Sequence, residues 1–135
     1  MKTEVKQLTE IFYVVFKALH QKSYQNLTQY KLYPGQPQLL ALIKSKEGIT
    51  QKELSERNSV TPATITGMLN KLEANQYVYR LPDKEDKRIM RVYLTPEGRL
   101  MANHAETFMV YLSDRLFEGF TEEELQTYIR LTEKI

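Results

Sequence analysis

Between two short β-rich runs, 77–81 and 89–94, lies a block of charge, Asp83-Lys84-Glu85-Asp86-Lys87-Arg88. Pro82 stops the first run. The second alternates, with Ile89, Arg91 and Tyr93 on one face and Met90, Val92 and Leu94 on the other. This is the pattern of a two-stranded hairpin with one buried face and a charged tip. Thr95-Pro96 follows at once, a threonine cap with proline at the first helical position, where its missing N–H costs nothing. A lone hairpin is marginal in water, so this one must lean on the helices around it.

Those helices can be read in turn. Over 5–30, apolar residues at Leu8, Ile11, Phe12, Val15, Leu19 and Leu27 suit a helix, although 11–16 is locally strand-like. The apolar face wraps too far round for one partner, so a second chain is expected to cover the excess. Tyr33-Pro34-Gly35-Gln36-Pro37 breaks the chain. A short helix over 36–46 then carries Leu39, Leu40, Leu42 and Ile43 and ends at Gly48, and Ile49 is placed for one small strand pairing. Thr50-Gln51-Lys52-Glu53 reads as a capping box, in which the Thr50 hydroxyl accepts from the Glu53 amide and the Glu53 carboxylate reaches back to the Thr50 amide. That helix ends near Arg57, and Asn58-Ser59-Val60 makes a turn. Thr61-Pro62 opens another helix, ending near Asn75, with Ile65, Met68, Leu69 and Leu72 as its buried stripe. After the hairpin a long helix runs to about Phe117, with Leu100, Met101, His104, Phe108, Tyr111, Leu112 and Leu116 inward. Gly119 breaks it, and Thr121-Glu122-Glu123-Glu124 caps a last helix carrying Leu125, Tyr128, Ile129 and Leu131.

The order α, α, α, α, β, β, α, α predicts a mainly α fold with a small β-hairpin wing. Residues 32–99 form a winged helix-turn-helix, flanked by helices over 1–31 and 100–135 that pair with a second copy. The whole 1–135 is one domain, a length suited to that.

Two short helices joined by a tight turn place Leu54, Ser55, Val60, Ile65 and Met68 where they can pack near a right angle, small Ser55 allowing the close crossing. The second helix can then lie in a major groove, which admits one α-helix. Its outward positions carry Ala63, Thr64, Thr66, Gly67, Asn70 and Lys71, a low polar surface suited to base edges or phosphates. Lys84, Lys87 and Arg88 at the hairpin tip can reach phosphates or a narrow minor groove. The expected DNA-binding residues are therefore Thr61, Thr64, Thr66, Asn70, Lys71, Lys84, Lys87 and Arg88. Asn70 is open between reading an adenine edge and touching phosphate. Arg88 is open between a DNA contact and an ion pair with Asp86 that shapes the wing.

Charge distribution points the same way. Residues 44–99 hold 11 Lys or Arg against 8 Asp or Glu, whereas 106–135 hold 3 against 7. A basic middle suits a polyanion, and an acidic tail does not. With 0 cysteines there is no disulfide framework, Cys-based zinc site or thiol switch. No apolar run approaches the ~18 residues of a membrane span, and Lys2 and Glu4 precede no signal-type apolar segment. A cytoplasmic protein is expected.

The chain resembles the MarR family of bacterial transcriptional regulators. Asp86-Lys87-Arg88, then Val92-Tyr93-Leu94-Thr95 and Gly98, match the family's D-x-R … V-x-L-T-x-x-G wing. Upstream, 48–54 matches the start of its helix-turn-helix, Thr61-Pro62-Ala63-Thr64-Ile65-Thr66 and Leu72-Glu73 match its recognition helix, and 32–36 is similar to the entry of its second helix. The resemblance covers nearly the whole chain. It implies a homodimer, held by first and last helices, that binds a pseudo-palindromic double-stranded operator, with repression as the expected sense. It makes Arg88 the wing arginine and Asp86 its structural partner. Three departures stand out: Asn58 replaces an apolar residue and is expected to loosen the turn. Gln76 replaces a glycine, so Asn75 is expected to take the left-handed helix cap. Pro37 replaces a frequent aromatic.

Members of the family bind small phenolic or aromatic carboxylate effectors, and Tyr13, Phe16, Tyr24, Tyr30, Phe108 and Tyr111 are the residues expected to line such a pocket, against the alternative of ordinary core and dimer packing. His20 and His104 are two isolated histidines, better read as packing or surface residues than as zinc ligands. No cofactor is expected. Nucleophile–base motifs, phosphate-cradling glycine loops and metal-ligand spacings are missing from the sequence, so an enzyme is not expected. The remaining alternative is a winged helix used only for protein contacts, against which the basic wing tip argues.

Overall fold

Among the residues described by the computed structural model, 2–135 with the side chains of Tyr24 and Asn26 excepted, six helices and a three-stranded antiparallel sheet follow one another. They are α1 (Thr3–Thr28), α2 (Gln36–Ser45), β1 (Ile49–Thr50), α3 (Gln51–Arg57), α4 (Pro62–Ala74), β2 (Val78–Pro82), β3 (Met90–Leu94), α5 (Pro96–Leu116) and α6 (Glu122–Thr132). The sheet order is β1-β3-β2, with Ile49 opposite Val92 and Val78 opposite Leu94. The expected alternation holds where it matters: Val92 and Leu94 are buried, while Arg91 and Tyr93 lie on the other face. This is the winged helix-turn-helix architecture.

The core lies between α2, α3, α4, the sheet and the first half of α5. Leu39, Leu40, Ile43, Ile49, Leu54, Ile65, Leu69, Leu72 and Val92 are fully enclosed. Each such side chain stabilises the fold by roughly 1.5–3 kcal/mol. The hydrophobic stripe of α4 is therefore spent inward, and its other side is left for contacts.

Local chemistry sets the helix ends. Thr61 and Thr95 accept hydrogen bonds from the N–H groups of Thr64 and Gly98, each followed by proline at the first helical position. Thr121 and Glu124 form the full reciprocal capping box. At α3 only half of the expected box exists. Thr50 accepts from the Glu53 amide at 3.1 Å, but the Glu53 carboxylate turns instead to Lys46 and Arg57. Those two cations, Lys46 foremost, hold its pKa below the usual carboxylate range.

Asn58 does not loosen the turn. Its side-chain amide donates to the Leu54 carbonyl at 2.8 Å, a second bond to the acceptor that already takes the Asn58 backbone N–H at 3.0 Å, and the buried Ser55 hydroxyl donates to the Val60 carbonyl at 2.6 Å. The left-handed residue after α4 is Gln76, at φ 61°, and not Asn75, which has φ −83°. The reason is a Schellman closure: Tyr77 N–H bonds to Leu72 O and Gln76 N–H to Glu73 O, both at 2.9 Å, which forces the left-handed conformation one residue past the cap.

The inward face of α5 also differs from expectation. Gly98, Ala102, Ala105 and Leu112 are buried, while Leu100, Tyr111 and Leu116 are exposed. Small residues dominate the enclosed face, with Gly98 against the Tyr77 carbonyl, and several larger residues are left outward. On α1, the strand-like stretch 11–16 is helical, because the helical register gathers Leu8, Ile11, Phe12, Val15 and Leu19 along one side. Much of that side is open in the single chain, with Leu8, Ile11, Phe12 and Phe16 exposed.

Candidate nucleic-acid interface

The polar side of α4 is presented as the sequence implies. Thr61, Ala63, Thr64, Thr66, Gly67, Asn70 and Lys71 are all exposed. Their functional groups are partly committed already. The Thr61 and Thr64 hydroxyls lie 2.9 Å apart, and Thr66 donates its hydroxyl proton to the Pro62 carbonyl at 2.9 Å. An outside donor therefore meets Thr66 as an acceptor oxygen beside a methyl group. The Lys71 ammonium sits 4.7 Å from the centre of the Tyr33 ring, a cation–π contact that steadies it against the loop before α2. A Cβ placed on Gly67 would meet nothing within 4 Å, so no contact inside the chain calls for glycine there.

The wing projects Lys84, Lys87 and Arg88, all exposed. Among the described residues Lys84 and Lys87 enter no ion pair, so both ammonium groups are available to an anion. Arg88 is held differently. Its Nε and Nη2 donate to the two carboxylate oxygens of Asp86, each at 3.0 Å, while the guanidinium itself stays almost fully open to solvent. Asp86 also accepts from the Arg88 amide at 3.1 Å. The pairing holds the Asp86 carboxyl below its ordinary range and pushes Arg88 up, so both remain charged. The side chain is thus oriented at the surface by a fork that leaves its third nitrogen free.

Three further residues that shape this surface were not among those singled out from sequence. Asp83 receives the Glu85 and Asp86 amides on one oxygen and Arg91 on the other. Arg91 also donates to the Gly48 carbonyl at 2.8 Å, tying wing to β1. Arg80 donates to Glu73 and Asn70 on α4. A signal for Arg80 existed: in the β2 register it falls on the same face as buried Val78, where a charge must find partners.

A second feature is a cavity of about 320 Å³ between α1, α2 and α5. Phe16, Tyr30 and Phe108 line it. Tyr13 and Tyr111 do not. They point to solvent, 66% and 55% exposed, because helical phase turns them away from the cavity wall. The side chain of Tyr24 lies outside the described residues. Much of the remaining wall is aliphatic or sulfur-bearing, with Leu19, Leu27, Met101, Met109 and Leu112. His20 and His104 also line it, stacked separately on Phe16 and on Tyr30.

Comparison with known proteins agrees with this geometry. The profile of the MarR family matches residues 32–90. The HTH-type transcriptional regulator SarZ of Staphylococcus epidermidis is 34% identical over 127 residues, spanning 92% of this chain and 82% of SarZ. A MarR protein from Peptoclostridium difficile superposes with TM-score 0.87 at 28% identity, covering 99% of this chain and 88% of that one. A mutant MarR from E. coli, crystallised with operator DNA, superposes with TM-score 0.82 at 26% identity over 97% of this chain and 94% of that one. The chain belongs to the MarR family, a family of transcriptional regulators and not of enzymes.

Proposed function

We propose that the protein is a homodimeric repressor that binds a pseudo-palindromic DNA operator in the cytoplasm, and that a small aromatic or phenolic ligand weakens that binding. The single observation that carries the DNA reading is the combination of an exposed polar α4 face with a wing tip that bears two lysines outside any described ion pair and an oriented arginine. In this reading residues 32–99 form the DNA-binding part, with Thr61, Thr64, Thr66, Asn70 and Lys71 at the groove and Lys84, Lys87 and Arg88 on the backbone or in the minor groove. The flanking helices pair the two copies. Support for pairing comes from exposed Leu8, Ile11 and Phe16 on α1, Val110 and Tyr111 on α5, and Ile129 and Leu131 on α6. So much exposed apolar surface on terminal helices is an interface signature. The cavity beside α5, with apolar walls and two imidazoles, supports the ligand part of the reading.

The test is selection from random duplexes by the full-length protein, with sedimentation at micromolar concentration alongside. The expected result is an enriched inverted repeat bound by a dimer, with affinity falling steeply as salt rises. A folded monomer that enriches no duplex refutes the reading. Thermal-shift screening of aromatic carboxylates tests the ligand: a binder should raise the midpoint and lower operator affinity together.

A further inference from the structure

We infer that Arg80 sets the chemistry that Asn70 presents, making its amide a donor that selects guanine over adenine in the major groove. This rests on the DNA-binding reading above.

Arg80 stands opposite Val92 in the sheet, on the inward side of β2, and its side chain is only 19% exposed. From there the guanidinium reaches the edge of α4. Nε donates to Glu73 Oε2 at 2.8 Å, and Nη2 donates both to Glu73 and to Asn70 Oδ1, the latter at 2.8 Å. Nη1 makes a longer contact of 3.5 Å with Gln51 Oε1 on α3. One cation thus links both helices of the helix-turn-helix to the wing.

The consequence for Asn70 follows from what a guanidinium lacks. It has five N–H donors and no acceptor, so only the carbonyl end of the amide can face it. A flipped amide would set NH2 against a cation. The Asn70 carbonyl is therefore engaged, and its NH2 is left on the exposed side of α4 with no hydrogen-bond partner among the described residues. Reading adenine requires asparagine to accept from N6–H while donating to N7. A positive charge already bonded to that carbonyl opposes the approach of another N–H. Guanine offers two acceptors, N7 and O6, and no donor at that edge. The electrostatics of the pair suit guanine.

The experiment is duplex selection by the full-length protein and by Asn70→Asp, Arg80→Lys and Arg80→Met variants, followed by affinities for operators differing at one base pair. Circular dichroism confirms that each is folded. Wild-type protein should enrich guanine at one position per half-site, and adenine there should cost about five- to tenfold, the low end for a base contact. Asn70→Asp keeps the Arg80 bond but has no donor, and should exchange that guanine for cytosine, whose N4 donates. Arg80→Lys keeps the charge but cannot fork between Glu73 and Asn70. Both Arg80 variants should lose the guanine preference at that position and retain preferences elsewhere. Arg80 variants that keep it, or Asn70→Asp that weakens all duplexes equally, overturn the inference and leave DNA binding standing. Wild-type protein that enriches no duplex overturns both.

Discussion

Asp83 and Arg91 face each other across the mouth of the wing, with Arg91 Nε donating to Asp83 Oδ1 at 2.6 Å. Through the other Asp83 oxygen and the Gly48 carbonyl, this one pair joins the turn, the return strand and β1. The Arg91 bond, reinforced by the Asp86 and Glu85 amides, lowers the Asp83 pKa from 3.8 to about 2. A carboxyl whose folded pKa is depressed adds stability that is present above its unfolded value and lost as pH falls through the folded one. Asp83→Asn should therefore lower the thermal midpoint at pH 7 and flatten its decline between pH ~4 and ~2. Calorimetry across that range checks it, and parallel curves for the two proteins would contradict it.

Arg88→Ala should weaken binding to many sequences together by roughly ten- to a hundredfold, the loss of a charge-assisted contact. The slope of affinity against salt should flatten as one phosphate neutralisation disappears. Fluorescence anisotropy at several ionic strengths reads both. Folded Arg88→Ala with wild-type affinity and slope would show that the arginine serves only its bond to Asp86.

Gly67→Ala separates stability from binding by sign. With open space around its Cβ, alanine should stabilise α4 by about 0.8–1 kcal/mol through helix propensity alone. If the glycine admits DNA closely, operator affinity should fall while the unfolding midpoint rises. Denaturant titration and binding on the same preparation decide it, and a variant better at both would show that the groove does not close on this residue.

Gly98→Ala should be severe. A Cβ at this position would lie 1.8 Å from the Tyr77 carbonyl oxygen, a backbone atom that cannot swing aside. That oxygen is also tied to the Thr95 amide at 3.0 Å. A loss of about 3 kcal/mol, the upper end for overpacking, is expected. Urea unfolding measures it, and a change below ~1 kcal/mol would mean that α5 can lift from the sheet.

What was legible in the sequence was local. The Thr61-Pro62 and Thr95-Pro96 starts, the alternation of β3 and the charged hairpin tip each depend on neighbours within a few residues. Misreadings arose where a group has competing partners or where helical phase decides which way it faces. Glu53 had a local use at the Thr50 amide, but Lys46 and Arg57 offered charge instead. Asn75 had the composition for a left-handed cap, but backbone bonding assigned that conformation to Gln76. Tyr13 and Tyr111 carry the right chemistry for a cavity and the wrong helical phase. The Arg80–Asn70 bond spans α4 and the wing, so only tertiary packing reveals it.

The clash-tight seat of Gly98 on Tyr77 leaves α5 no slack at its base. The same helix, 21 residues long, supplies Met101, His104, Phe108 and Leu112 to the cavity wall. It is therefore a rod clamped to the wing at one end and bordering an internal void along its length. Anything that fills the cavity therefore presses on a helix whose base is seated on the backbone beside the wing.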